Sequence, residues 1–143
     1  MNSAVTLVDF DRLLNGLDHI YSEFSRACGL SDCAYWMLVD TSTAGGSIAV
    51  SRLTSEWFYS KQTINSAIRG LEKEGLLYLA QYHGRAKKVV LTDKGNRFAQ
   101  QTAARIRQAE QDAFASWTEE EVRTHIRLLE KYTECFRREI EKL

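Results

Sequence analysis

Lys61, Gln62, Asn65, Ser66 and Arg69 lie on the polar side of a segment whose apolar residues Ile64, Ala67, Ile68 and Leu71 keep helical spacing. These side chains suit hydrogen bonding to phosphates and base edges rather than bond breaking. Lys61, Asn65 and Arg69 recur every four residues and so share a helix face. Asn65 or Gln62 can pair bidentately with adenine, and Arg69 can take guanine or phosphate. Ser60 and Thr63 stand in the opening turn, where backbone amides and the positive end of the helix dipole favour phosphate. A second basic group follows at His83-Gly84-Arg85-Ala86-Lys87-Lys88. Strand alternation points Lys87 and Lys88 to opposite faces. Ser51 and Arg52 open a supporting helix and can anchor the backbone of a duplex.

Other chemistries find less support. Asp40, His19 and Glu23 form no paired-acid or nucleophile–base constellation, and there is no Gly-rich phosphate loop or nucleophile elbow, so a small enzyme is disfavoured and no catalytic residue is assigned. His19, His83 and His125 are scattered and no Cys/His group has zinc spacing, so no metal or other cofactor is expected. Cys28 and Cys33 are candidate redox residues, because a helix N-terminus can depress a thiol pKa; buried, unreactive cysteine is the competing reading. Cys135 reads as packing. Tyr35 and Trp36, with Trp57, Phe58 and Tyr59, are candidates for lining an effector pocket, against the commoner role of aromatics in a core.

The elements that must position these groups are mainly helical. Residues 8–27 predict an amphipathic helix with Phe10, Leu13, Leu14, Leu17, Ile20, Tyr21 and Phe24 on one side, stopped near Gly29. Ser31 caps a second helix carrying Tyr35, Leu38 and Val39, and Thr41–Ser47 reads as a loop around Gly45-Gly46. Ser47–Val50 is a short extended piece suited to pairing with later strands. Ser51 is expected to cap a short helix through Trp57, with a bend at Phe58-Tyr59 before Ser60 caps the longer helix. Gly75 ends that helix. Leu76–Tyr82 and Lys88–Leu91 then form a hairpin across Gly84. Thr92 caps a helix to about Ser116, and Thr118 with Glu121 forms a capping box for the last one. There Val122, Ile126, Leu129, Thr133, Phe136 and Ile140 make a seam for another helix.

A chain of 143 residues reads as one domain and can bury a core without disulfides or metal. Formal charge is zero, but its distribution is uneven. Residues 1–50 hold two Lys/Arg against six Asp/Glu, a net of −4; residues 51–97 hold nine against four, +5; residues 98–143 hold eight against nine, −1. The positive charge therefore sits with the polar helix and the hairpin, and it is the local field that governs phosphate approach. The absence of an apolar run near membrane length, of a secretory signal and of an even cysteine set leads us to expect a soluble, cytoplasmic protein with no membrane partner.

Taken together, Ser60-Lys61-Gln62-Thr63-Ile64, Leu71-Glu72-Lys73-Glu74-Gly75-Leu76 and Gly84-Arg85-Ala86-Lys87-Lys88-Val89-Val90-Leu91-Thr92-Asp93-Lys94-Gly95 resemble the winged helix-turn-helix of the MarR family of bacterial transcription regulators. The resemblance implies an α+β fold, mainly α with a small β-hairpin wing. It spans 1–143 as a single domain, with dimerisation helices at 8–30 and 93–143 and a DNA-binding lobe at 47–92. It also implies a homodimer whose recognition helices enter successive major grooves of double-stranded DNA. Arg85 matches the family's wing-tip arginine, which enters the minor groove. His83 stands where the family usually has an aspartate, and a histidine adds positive charge below about pH 6.5. Family members often bind small aromatic effectors, and some sense oxidants. The expected function is a sequence-specific repressor released by such an effector. The alternative is a winged-helix protein-interaction module, which would tend to replace Lys61, Arg69 and Arg85 by apolar or acidic groups.

Overall fold

The computed structural model describes residues 3–56 and 59–143. Trp57 and Phe58, expected at a helix end and in an effector pocket, lie outside the described residues. The chain divides into two units, one ending at Ala104 and one running from Arg105 to Leu143.

In the first unit, α1 (Ser3–Ala27) begins five residues earlier than its apolar pattern predicts and ends as expected near Gly29. The Leu30 amide there returns to the Ser25 carbonyl, and Gly29 takes the left-handed conformation that closes such an end. Helix α2 (Asp32–Thr43) is capped by Ser31, whose hydroxyl accepts the Ala34 amide. It runs through Thr41 to Thr43, where a loop was expected. The Thr41 hydroxyl is buried and donates back to the Met37 carbonyl at 2.7 Å, so the β-branched residue is accommodated inside the helix.

Strand β1 (Ser47–Ala49) passes directly into α3 (Val50–Glu56). Ser51 therefore sits inside α3 and is not its cap; its carbonyl accepts the Thr54 hydroxyl. Helix α4 (Lys61–Lys73) follows, then β2 (Leu77–Gln81) and β3 (Lys87–Leu91). The sheet order is β1-β3-β2, all antiparallel, with Ile48 opposite Val89 and Leu77 opposite Leu91. The expected pairing of the short extended piece with the hairpin is thus present. The core gathers Leu38, Leu53, Ile64, Leu71, Val89 and Leu91 from helices and sheet alike. Helix α5 (Asp93–Phe114) starts in this unit, and its buried Ala99 joins the same cluster.

The second unit holds the later part of α5 and all of α6 (Glu119–Ile140). Thr118 and Glu121 form the expected capping box. Phe114, Trp117 and His125 pack ring against ring at the turn between the two helices. No residue of α6 is buried.

Candidate nucleic-acid interface

Helix α4 is held by one face. Ile64, Ala67, Ile68 and Leu71 are buried, which leaves Lys61, Gln62, Asn65, Ser66 and Arg69 exposed on the other. The Ser60 hydroxyl accepts the Thr63 amide at 3.1 Å and shares a 2.8 Å hydrogen bond with the Thr63 hydroxyl. Both hydroxyls are thus engaged in starting the helix, which fixes the rotamers of two candidate phosphate contacts. At the other end Gly75 is left-handed, with the Leu76 amide returning to the Leu71 carbonyl.

Beyond α4 the hairpin carries the second group. Ala86 donates its amide to the His83 carbonyl at 2.8 Å, closing a four-residue turn over Gly84 and Arg85. Only Gly84 there has positive φ, at 54°, a conformation that glycine adopts without strain. The Gln81 side-chain amide donates to the Gly84 carbonyl and ties the tip to the strand. His83 packs against Tyr82, ring centroids 4.1 Å apart. Arg85 and Lys87 are exposed at the tip. Lys88 is half-buried beside Ala49 and Ala80 of the neighbouring strands, so the alternation separates the two lysines as expected.

Among the described residues, Lys61, Gln62, Asn65, Arg69, Arg85 and Lys87 have no side-chain hydrogen bond or ion pair. Their donors are available to an outside partner. Arg52 differs: its guanidinium donates to Glu56 at 2.8 Å, which partly neutralises the charge expected to anchor a duplex.

The cysteine and aromatic candidates sit elsewhere in the first unit. Cys33 is buried, and burial pushes its thiol up. Cys28 is half-buried, and neither cysteine is joined in a disulfide. Tyr35 is buried between Phe24 and Trp36, with centroids at 5.6 and 5.3 Å, and Trp36 also meets Tyr21. These rings fill space between α1 and α2. A cavity lined by Cys33, Met37, Leu53, Tyr59 and Ile64 measures about 10 Å³, which is about the room one water needs. Among the described residues, no three His, Cys, Asp or Glu side chains cluster as a metal site, and no helix is long and apolar enough to cross a membrane.

Two features were not drawn from the sequence. Asp32 accepts hydrogen bonds from Ser22 at 2.6 Å and from buried Ser25, and these bonds hold its carboxyl below the usual value. The join between α1 and α2 therefore rests on a carboxylate. The segment Thr92–Gly95 meets the end of α4, although the sequence marked it only as a motif and Thr92 as the cap of the following helix.

No protein-family model matches the chain, and no curated protein matches it in sequence. Solved structures do match. A MarR family regulator from Neisseria meningitidis superposes with a TM-score of 0.83 at 18% identity, covering 99% of each chain. A MarR family regulator from Listeria monocytogenes, solved with a 26mer DNA, gives 0.72 at 24% identity over 90% of this chain and 86% of that one. An organohalide-sensing regulator bound to 2,4-dichlorophenol gives 0.70 at 15% identity over 94% and 80%. The chain therefore has the MarR-like winged-helix fold, with the small antiparallel sheet and, among the described residues, the six helices expected of it.

Proposed function

We propose that this chain is a DNA-binding transcription regulator, a repressor that grips duplex DNA as a homodimer. The observation that carries the reading is the set of uncommitted donors on α4 and on the hairpin tip, each displayed from an element anchored in the core. In this reading Gln62, Asn65 and Arg69 face base edges, Lys61 and the opening turn of α4 face phosphate, and Arg85 enters the adjacent minor groove. The DNA held by the similar Listeria regulator supports the same partner.

The homodimer is supported by apolar side chains left in water. Leu13, Leu17 and Ile20 of α1, and Ile126, Phe136 and Ile140 of α6, are all exposed in the single chain. Exposed apolar stripes on long helices mark contact surfaces. Two copies would set their α4 helices on half-sites about one helical turn apart. A small aromatic effector that favours another spacing would lower affinity by population shift; the dichlorophenol held by the organohalide-sensing regulator supports that class. Oxidation at Cys28 or Cys33 is the weaker version, since it needs a buried thiol to open or a half-buried one to react.

Selection of bound fragments from random duplex DNA tests the reading. A recovered pseudo-palindrome whose affinity falls steeply with salt is the expected result. Recovery of no sequence, or a flat salt response, overturns it. Arg85→Ala is expected to weaken binding of the selected duplex by about ten- to a hundredfold, at roughly 1–3 kcal/mol, while leaving the dimer intact. Unchanged affinity would remove the wing from the interface.

A further inference from the structure

A helix ends with carbonyls that its own ladder does not satisfy, and with a concentration of partial negative charge. Three of the last carbonyls of α4 are taken by the amides of Glu74, Gly75 and Leu76, and the carbonyls of those same three residues, from the C-cap Glu74 onward, are taken by Thr92 and Lys94 at the start of α5. The Lys94 ammonium donates to the Glu74 carbonyl at 2.7 Å, the Thr92 hydroxyl donates to that of Gly75 at 2.6 Å, and the Thr92 amide donates to that of Leu76 at 3.1 Å. The same Thr92 hydroxyl accepts the Gly95 amide at 3.0 Å, so one oxygen caps α5 and ties down α4. Gly95 is buried, and a Cβ placed on it would stand 1.7 Å from the Leu76 carbonyl oxygen; the backbones approach to a distance no side chain allows. On the other flank the Glu72 carboxylate accepts the Leu79 amide of β2 at 3.3 Å.

From this geometry we infer that Thr92 and Lys94 are positioning residues, which fix the angle between the recognition helix and the wing without touching DNA. The inference rests on the DNA-binding reading above and adds a role for a motif which that reading leaves unused. Lys94 is an exposed cation close to the proposed interface, but its ammonium is spent on a helix end and not offered to phosphate. Thr92 lies in the connection that joins β3 to α5, so the hydrogen bonds of its hydroxyl and amide link the sheet, the end of α4 and the start of α5 at a single point. The consequence is that α4, the wing base and the first turn of α5 move as one body. Any effector would then act by moving whole lobes, and not by bending the reader within its lobe.

The test compares Thr92→Val, Thr92→Ser and Lys94→Met with wild type in two measurements. The first is hydrogen exchange of the amides at 73–79. The second is affinity for the duplex selected by wild type, followed across salt. Thr92→Val, which keeps shape and loses both hydroxyl bonds, is expected to exchange faster at 73–79 and to bind about tenfold more weakly with an unchanged log–log salt slope. Thr92→Ser is expected to restore both readouts. Lys94→Met is expected to weaken binding about threefold, again with the slope unchanged. A salt slope lowered by about one in Lys94→Met would make Lys94 a phosphate contact and overturn its positioning role. Wild-type affinity in Thr92→Val would overturn the inference while leaving the DNA reading standing. A wild-type protein that binds no duplex would overturn both, even if exchange at 73–79 responded as expected. Should Thr92→Val fail to fold, Lys94→Met and Thr92→Ser decide the matter.

Discussion

Helices α4 and α6 are both amphipathic, and they meet opposite fates. The apolar face of α4 is closed off by its own lobe, with Ile64 and Leu71 at 1% and 2% exposure. That of α6 stays open, with Ile126 and Phe136 at 49% and 51%. A helix derives most of its stability from packing an apolar face, not from intrinsic propensity. The first unit therefore buries the apolar face of α4 within one chain, whereas the apolar seam of α6 stays exposed in the single chain. A stripe of the right period identifies a buried face, but not which molecule buries it.

The proposed dimer gives the strongest way to break this contrast. Ile126→Glu together with Phe136→Glu is expected to abolish dimerisation in sedimentation experiments while far-UV circular dichroism keeps the first lobe folded. A double variant that still dimerises would place the contact elsewhere. Next in size is Leu71→Ala, expected to cost about 2–5 kcal/mol of unfolding free energy in a denaturant titration, because a filled core is left with a cavity. A loss below roughly 1 kcal/mol would mean that α4 is held by something other than its apolar face.

The smallest effect sharpens the picture at the join of α1 and α2. Hydrogen bonds from Ser22 and Ser25 lower the Asp32 pKa in the folded chain. A lowered carboxyl pKa contributes stability that is fully present above the unfolded value near 3.9 and is lost as pH falls through the folded value. Asp32→Asn is therefore expected to cost about 1–3 kcal/mol at pH 7, and the gap to wild type should narrow once pH drops below about 4. A gap independent of pH would mean that the carboxylate's charge is immaterial.

Much of α4 was legible in the sequence because it is built from local signals. Ser60, the spacing of Ile64, Ala67, Ile68 and Leu71, and Gly75 set both ends and the buried face of α4 from within sixteen residues. The hairpin around Gly84 was legible for the same reason. Two of the features that escaped depend on residues distant in sequence. Asp32 meets Ser22 across ten positions, and Lys94 reaches Glu74 across twenty. Ser51 carried a capping signal, but β1 runs straight into α3 at Val50 and leaves no turn for a cap to occupy. Arg52 looked like a free cation until the i,i+4 pairing with Glu56 was seen. The candidate interface itself shows the same division: the exposure of Asn65 and Arg69 followed from periodicity, whereas the hydrogen bonds from Thr92 and Lys94 to the carbonyls after α4 did not.

The hydrogen bond from Leu79 to Glu72 has a consequence outside recognition. Among the described residues β2 is an outer strand, and it displays exposed Tyr78 and Leu79 along a rim open to further strands. Such rims invite another chain to add on and start aggregation. A carboxylate laid over the Leu79 amide occupies one of the donors an incoming strand would need and sets negative charge beside it. Glu72 thus closes part of the edge at which another strand could pair.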